Sequence, residues 1–159
     1  MKIKGIIAED FINYKEPSMV IEFPICKNFK CDKKCGKQVC QNSSLAASPD
    51  VDISIIRIVK MYMENNITKA IVFQGLEPFD SKYDLYQLVK MFREYTNDNI
   101  IIYTGYTETE LEYEIEILKR LSKNIIIKFG RFIPDQPSHY DEILGVSLAS
   151  SNQYAKKIC

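Results

Sequence analysis

Apolar positions along this chain follow two different periods. Apolar side chains recur at the spacing of a helix face in three segments, residues 55–62, 85–92 and 111–118. Each segment is followed by a nearly continuous apolar run, which predicts three strands at residues 69–74, 99–104 and 125–129. The pattern therefore predicts three helix–strand units in the second half of the chain.

The first half of the chain has a different pattern of apolar residues. Residues 3–7 and 19–25 are short apolar runs that predict two strands, and the second runs directly into Cys26. Residues 26–50 are rich in Lys, Asn, Ser and Cys and have no helical periodicity, so we predict one loop that is too long to be a simple connector. From residue 131 onward, prolines and a glycine interrupt any pattern, and we expect loop with one short strand.

The order of these elements predicts the fold class. Continuous apolar strands suit a parallel sheet that is covered on at least one face, and right-handed crossovers place all three helices on one side of it. The chain has 159 residues, which is short of the roughly 250 of a complete eight-stranded barrel. We predict an α/β fold: a single-domain partial (open) βα barrel over residues 1–159, with a mainly parallel sheet and a long cysteine-bearing loop after an early strand.

Charge and hydropathy exclude several classes of partner. Lys and Arg number 21, as do Asp and Glu, so there is no net positive field to attract nucleic acid. No apolar run approaches the length that crosses a bilayer. We expect no nucleic-acid partner and no membrane partner. Because the first residues lack the apolar segment of an export signal, we expect a cytoplasmic protein with reduced thiols.

Four of the five cysteines cluster in the predicted loop, at Cys26, Cys31, Cys35 and Cys40. Thiolates that converge from one loop can bind zinc or an iron–sulfur cluster. An unliganded redox or structural group of cysteines is the third possibility. The cysteine spacing alone does not decide between these three.

The surroundings of the cysteines resemble a known family. Residues 26–31 read Cys-Lys-Asn-Phe-Lys-Cys, and Cys40 is followed by Gln41 and Asn42. Three later stretches are Gln-Gly-Leu-Glu-Pro at 74–78, Ile-Tyr-Thr-Gly-Tyr-Thr at 102–107 and Ser-Ser-Asn-Gln at 150–153. Together these stretches resemble the radical S-adenosylmethionine superfamily and, more narrowly, the activating proteins of anaerobic (class III) ribonucleotide reductase.

This resemblance implies a 4Fe-4S cluster and S-adenosylmethionine as cofactors. It implies an oxidoreductase that cleaves S-adenosylmethionine to a 5'-deoxyadenosyl radical and thereby forms a glycyl radical on the large subunit of anaerobic ribonucleotide reductase. A flavodoxin or ferredoxin is the implied electron donor. Two alternatives stay open: a radical enzyme that acts on a small molecule or peptide, and a non-catalytic zinc-binding module.

The resemblance also implies the ligands. Cys26, Cys31 and Cys40 are the expected ligands, because only Cys40 has the Gln-Asn context, and the set with Cys35 in place of Cys26 is the rival. The spacing departs from the family, with four residues instead of three in the first gap. No catalytic side chain is expected beyond the cluster and the cofactor.

The cofactor-binding residues are expected at strand ends, where parallel α/β sheets bind ligands. By resemblance, Thr104 contacts the ribose or the amino-acid end and Lys128 contacts the carboxylate. Leu76 replaces the second glycine of the family motif, which a site needing positive φ there does not accept. The full expected set is Gly75, Glu77, Thr104, Gly105 and Lys128.

Several of these residues also have a simpler interpretation. Glu77 can be a charge at a helix start, and Lys128 can be a solvated strand end. The lysines of the loop, Lys27, Lys30, Lys33, Lys34 and Lys37, are predicted to be solvated. Residue type further predicts core positions for Tyr103 and Phe129, a surface position for His139 and a free thiol at Cys159.

Overall fold

The computed structural model describes residues 1–27 and 29–159, except for the side chain of Lys30. Two predicted features, Asn28 of the cysteine motif and the charge of Lys30, lie outside the described residues. The strands are β1 Lys2–Ile3, β2 Gly5–Asp10, β3 Ser18–Phe23, β4 Val51–Asp52, β5 Ala70–Gly75, β6 Asn99–Tyr103, β7 Ile125–Phe129, β8 His139–Asp141, β9 Val146–Leu148 and β10 Tyr154–Lys157. The helices are α1 Lys30–Cys35, α2 Ser43–Ala47, α3 Ile55–Glu64, α4 Lys82–Arg93 and α5 Glu112–Leu121, with short 3-10 turns at Pro78–Ser81 and Thr109–Leu111.

The main sheet has six strands in the order β10-β7-β6-β5-β3-β2. Strands β3, β5, β6 and β7 run parallel, whereas β2 and β10 pair antiparallel at the two edges. The pairing of β2 with β3 shifts register between Ile7 and Asp10, as a β-bulge does. The protein is thus mixed α/β with a mainly parallel sheet, and its description as a partial barrel stays a prediction.

Both faces of the parallel strands are buried, which explains their continuous apolar sequences. Ile71 and Phe73 of β5 belong to one core cluster, together with the apolar stripes of α3, α4 and α5. The three helices therefore lie on one face, as the right-handed crossovers predicted. Val72 of β5 belongs to a second cluster on the opposite face, where Tyr14 and Leu144 cover the sheet in place of helices.

The three long helices form where the apolar spacing predicted them. Helix α3 begins after Ser54, whose Oγ accepts a hydrogen bond from the Arg57 backbone N–H over 3.3 Å. Phe92 of α4 is fully buried, and its ring contacts Tyr62 of α3 and Phe73 of β5 at centroid distances of 5.5 and 6.1 Å. These aromatic contacts join two helices to the sheet.

The structure corrects the predictions for the irregular segments. The cysteine-bearing segment contains helices α1 and α2, of six and five residues, and these are too short to produce a visible period. The tail after residue 131 contains β8, β9 and β10 instead of one strand. The predicted first strand is split into β1, which pairs with β4, and β2, which pairs with β3.

Among the described residues, no helix combines the length and the apolar character that crossing a bilayer demands.

Gly75, the last residue of β5, has φ 95° and lies against the neighbouring strand. A methyl group there would be 2.8 Å from the Phe23 backbone nitrogen and 2.9 Å from the Glu22 Cα. We predict that Gly75→Ala lowers the free energy of unfolding in urea by about 3 kcal/mol, through backbone strain and overpacking together.

Gly105→Ala is the matched control for this prediction. Its added methyl group would lie 3.6 Å from both Arg131 Cγ and Glu77 Oε2, an ordinary contact distance. We expect a change below about 1 kcal/mol. Equal losses in both variants would contradict the stated role of Gly75.

Candidate functional site

A cavity of about 340 Å³ lies at the carboxyl ends of the parallel strands. Strands β3, β5, β6 and β7 all end at this edge of the sheet, where parallel α/β folds bind ligands. All eight residues that the sequence proposed as first choices contribute to its lining: Cys26, Cys31, Cys40, Gly75, Glu77, Thr104, Gly105 and Lys128.

Three of the four loop cysteines line this cavity. All four are partly exposed, and Cys26, Cys31 and Cys40 line the cavity. Cys35 lies on α1 together with Cys31, yet it is not among the described residues that form the lining. The arrangement favours the first expected ligand set over the rival with Cys35, and the assignment itself stays a prediction.

Cys31 lies in a mixed electrostatic environment. Burial raises the pKa of its thiol, and nearby Cys40 adds to this effect. A hydrogen bond with the Phe132 backbone and the positive charges of Lys128 and Arg131 lower the pKa of the same thiol. Burial prevails, so the pKa of Cys31 is raised overall and the two cations offset only part of the effect.

Asp32 and Asn42 connect Cys40 to the rest of the site, and sequence reasoning missed Asp32. The Asp32 Oδ1 accepts hydrogen bonds from the backbone N–H groups of Val39 and Cys40, each over 2.7 Å. The Asn42 amide donates to the Gly75 carbonyl over 2.7 Å. These contacts hold the Cys40 end of the loop against the end of β5.

Asp80 holds the beginning of the same loop. Its Oδ2 accepts a hydrogen bond from the Lys27 backbone N–H over 2.6 Å, and its Oδ1 accepts one from the Tyr106 hydroxyl over 2.7 Å. Lys27 directly follows Cys26. The loop is thus held close to Cys26 as well as close to Cys40.

Glu77, Thr104 and Gly105 contact one another. Glu77 is 3% exposed, and its carboxylate accepts hydrogen bonds from the Thr104 hydroxyl over 2.8 Å and from the Gly105 N–H over 2.9 Å. It also accepts the Phe79 N–H over 3.2 Å at the start of the 3-10 turn, as the helix-start interpretation predicted. Burial raises the pKa of Glu77 to about 7, against the opposing effect of these donors. One buried carboxyl therefore joins the ends of β5 and β6.

Lys128 is buried, so its interpretation as a solvated strand end is wrong. The side chain is 7% exposed, its Nζ donates to the Gly130 carbonyl over 3.0 Å, and it lies 5.9 Å from the ring centroid of Tyr103. Burial lowers the pKa of Lys128 to about 8, whereas Glu77 and Cys31 act in the opposite direction. An ammonium group has three donor hydrogens, so this one retains capacity for an anionic ligand in the cavity.

The Ser-Ser-Asn-Gln stretch holds the chain after β7. The Gln153 amide donates to the Gly130 carbonyl over 3.3 Å, and the Asn152 amide donates to the Arg131 carbonyl over 2.8 Å. Gln153 and Gly130 both line the cavity, which sequence reasoning had not assigned to either. The resemblance in residues 150–153 was the signal that could have identified Gln153.

Other predictions have mixed outcomes. Phe129 is fully buried in the core, whereas Tyr103 is half-buried and lines the cavity. Cys159 is not a dangling thiol, because its Sγ lies 3.1 Å from the Ser122 carbonyl oxygen. His139, predicted at the surface, is half-buried in β8. Four loop lysines are exposed as predicted: Lys27, Lys33, Lys34 and Lys37.

Leu76 does not disturb the backbone of this site. Leu76 does not have a positive φ, the conformation that would require a second glycine in the motif. The positive φ occurs one residue earlier, at Gly75. A side chain is therefore accepted at this position of the motif.

The donor set fits an iron–sulfur cluster in its chemistry. Three thiols line one cavity, and thiolates are the usual protein ligands of iron in such clusters. Within the described ranges, no group of three or more His, Cys, Asp or Glu side chains is already arranged to hold a metal ion.

Comparison with known proteins gives one match. The family described as a 4Fe-4S single cluster domain matches residues 25–154. Neither the curated proteins nor the solved structures include a match to this chain. The matched range begins just before Cys26 and ends just after Gln153, so it includes all eight of the expected ligand and cofactor-binding residues.

The buried Glu77 carboxyl predicts a pH-dependent stability. Its pKa rises from 4.5 to about 7 on folding, so the folded protein binds this proton more tightly than the unfolded chain. The resulting stabilisation is fully present below pH 4.5 and is lost as the pH rises through about 7, a change on the order of 3 kcal/mol.

Urea unfolding of the protein and its Glu77→Gln variant, at equal cluster loading, measures this effect. The free energy of unfolding of the wild type, minus that of the variant, should fall as the pH rises from about 5 to about 8. A difference that stays constant over this range would show that Glu77 does not titrate near neutrality.

Proposed function

This chain belongs to the family of 4Fe-4S single cluster domains, and we propose that Cys26, Cys31 and Cys40 are the thiolate ligands of its cluster. The observation that supports this ligand set is the cavity lining, which includes these three cysteines but not Cys35. Ligation by three cysteines leaves one iron of a four-iron cluster free of protein ligands.

We propose that the chain is a radical S-adenosylmethionine enzyme. When bound, a reduced 4Fe-4S cluster with an open iron supplies the electron that cleaves S-adenosylmethionine and yields a 5'-deoxyadenosyl radical. The chain's own residues bind and orient the cofactor: the Lys128 ammonium binds its carboxylate, and the hydrogen bonds between Glu77, Thr104 and Gly105 fix the strand ends around it. The absence of a side chain at Gly75 lets the ends of β3 and β5 lie close together beside the cofactor site.

We propose that the substrate is a protein, namely a glycine-bearing loop of anaerobic ribonucleotide reductase, which makes the chain a glycyl-radical activase. Ile12 lines the cavity and is 77% exposed, and its neighbour Phe11 is 63% exposed. Exposed apolar side chains at the cavity entrance suit contact with another protein. A small substrate would instead need further walls to keep water away from a radical.

We propose that a small acidic electron carrier, a flavodoxin or ferredoxin, docks on the lysines of the cysteine loop. Lys33 and Lys34 belong to the helix that carries Cys31, and Lys27 and Lys37 flank it. All four are exposed, and none of them belongs to an ion pair in the part of the chain that the structure describes. In a chain without net charge, this gives a local positive surface beside the ligands.

Single Cys→Ala variants test the proposed function, with Cys35→Ala as the matched control. After anaerobic reconstitution, loss of Cys26, Cys31 or Cys40 should remove the cluster and lower S-adenosylmethionine cleavage by more than about 100-fold. Removing a direct ligand should cost more metal affinity than removing a group that only orients a ligand. Cys35→Ala should retain iron, sulfide and cleavage. Formation of a glycyl radical on the reductase, measured by electron paramagnetic resonance, tests the protein substrate.

Three other outcomes would point to a different ligand set, a different substrate or a different metal. Loss of the cluster in Cys35→Ala but not in Cys26→Ala would establish the rival ligand set. Cleavage without a glycyl radical would point to a small-molecule or peptide substrate. One zinc per chain, with no sulfide, would identify a structural zinc module and refute the radical chemistry.

Charge reversal at Lys33 or Lys34 tests the docking of the electron carrier. At low ionic strength, Lys33→Glu should slow reduction by reduced flavodoxin about tenfold and weaken its dependence on salt, because steering by unlike charges is lost. Lys90→Glu on α4 is the matched control and should change neither value. Equal slowing in both variants would contradict a specific docking surface.

A further inference from the structure

We propose that Asp32 is a positioning residue that holds the Cys40 thiol beside Cys31 and thereby keeps the cluster bound. This inference rests on the proposed ligand set. Asp32 follows Cys31 directly in sequence and lies in the first turn of α1. Its side chain binds the backbone of the segment that ends in Cys40.

The contact depends on a complete reversal of the chain. Helix α1 ends at Cys35, and Gly36 follows it with φ 67°, the left-handed conformation in which helices commonly end. A methyl group on Gly36 would meet no atom within 4 Å, so the backbone angle and not a lack of space explains the glycine. The chain then returns along α1 and brings Val39 and Cys40 to its first turn.

A single oxygen joins the two ends of this reversal. Asp32 Oδ1 accepts both the Val39 and the Cys40 N–H groups over 2.7 Å, a short distance that is typical of charge-assisted hydrogen bonds. Asp32 is also the sole carboxylate between Cys26 and Cys40 in the sequence. No other carboxylate from this segment can take its place.

The arrangement orients both proposed ligands at once. Asp32 directly follows Cys31 in sequence and accepts a hydrogen bond from the Cys40 N–H. A shift of Asp32 therefore changes the distance between the two thiols. In proteins generally, groups that orient metal ligands in this way raise metal affinity roughly 10- to 100-fold. A fixed negative charge and the direction of a ligand's N–H group also affect the reduction potential of a cluster.

Two substitutions separate the position of the oxygen from its charge. Asp32→Ala removes the acceptor, whereas Asp32→Asn keeps a carbonyl oxygen that can accept both N–H groups but removes the charge. Asp98→Asn is the matched control, because Asp98 is also a hydrogen-bonded carboxylate, bound to the Tyr62 hydroxyl over 2.6 Å, but precedes β6 at the opposite end of the sheet.

The readouts are iron and sulfide per chain, the rate of iron loss to a chelator under anaerobic conditions, and the midpoint potential of the cluster. We expect Asp32→Ala to lose iron on the order of 10-fold faster than wild type. Asp32→Asn should lose iron within about twofold of the wild-type rate, with a higher midpoint potential. Asp98→Asn should match the wild type in all three.

Two results would overturn the inference: iron loss from Asp32→Ala at the wild-type rate, or an unchanged midpoint potential in Asp32→Asn. If Asp32→Ala does not fold, as judged by circular dichroism, the potential of Asp32→Asn decides alone. Failure of the proposed ligand set is distinguishable, because Cys31→Ala or Cys40→Ala would then keep the cluster. Failure of this inference instead leaves those two variants without a cluster and Asp32→Ala as stable as the wild type.

Discussion

Parallel pairing of β3, β5, β6 and β7 is the constraint on which the rest of this structure depends. Parallel strands need crossovers, and crossovers of one hand place the helices on one face. The same pairing brings the carboxyl ends of the strands to one edge, where the backbone leaves the sheet and polar side chains follow it. A cavity at this edge is therefore a consequence of topology, and only its chemistry is left for individual residues to determine.

That chemistry relies on ionisable groups that are removed from water. Glu77 and Lys128 are both buried, and burial moves their pKa values toward neutrality, to about 7 and about 8. Glu77 accepts hydrogen bonds from residues that follow β6, and Lys128 donates to the Gly130 carbonyl just after β7. These contacts reduce the cost of burying both groups. The Glu77 contacts add to backbone hydrogen bonds at the same strand ends, such as that from the Thr104 N–H to the Lys128 carbonyl over 2.9 Å. The site and the stability of the sheet edge are thus parts of one network.

The sequence predicted the long helices and the parallel strands well, because each repeats its period over several residues. It failed where elements were short: α1 has six residues and β8 three, too few for a pattern. The lining of the cavity was predictable from the rule that ligands bind at strand ends. The contact between Glu77 and Thr104 was not, since these residues are 27 positions apart and nothing local couples them. Asp32 was missed because its role depends on a chain reversal.

The two antiparallel edge strands have a consequence for behaviour in concentrated solution. An edge strand exposes unpaired amide and carbonyl groups, with which a strand of a second molecule can pair, and such pairing can lead to aggregation. On one side, the bulge between Ile7 and Asp10 twists β2 out of a flat register. On the other, β10 carries Lys156, which pairs with Glu108 over 2.6 Å, and the exposed Lys157; lysines are residues that commonly protect edge strands. The bulge and the lysines both disfavour the addition of a further strand at the two edges, which lie apart from the central strands that build the cavity.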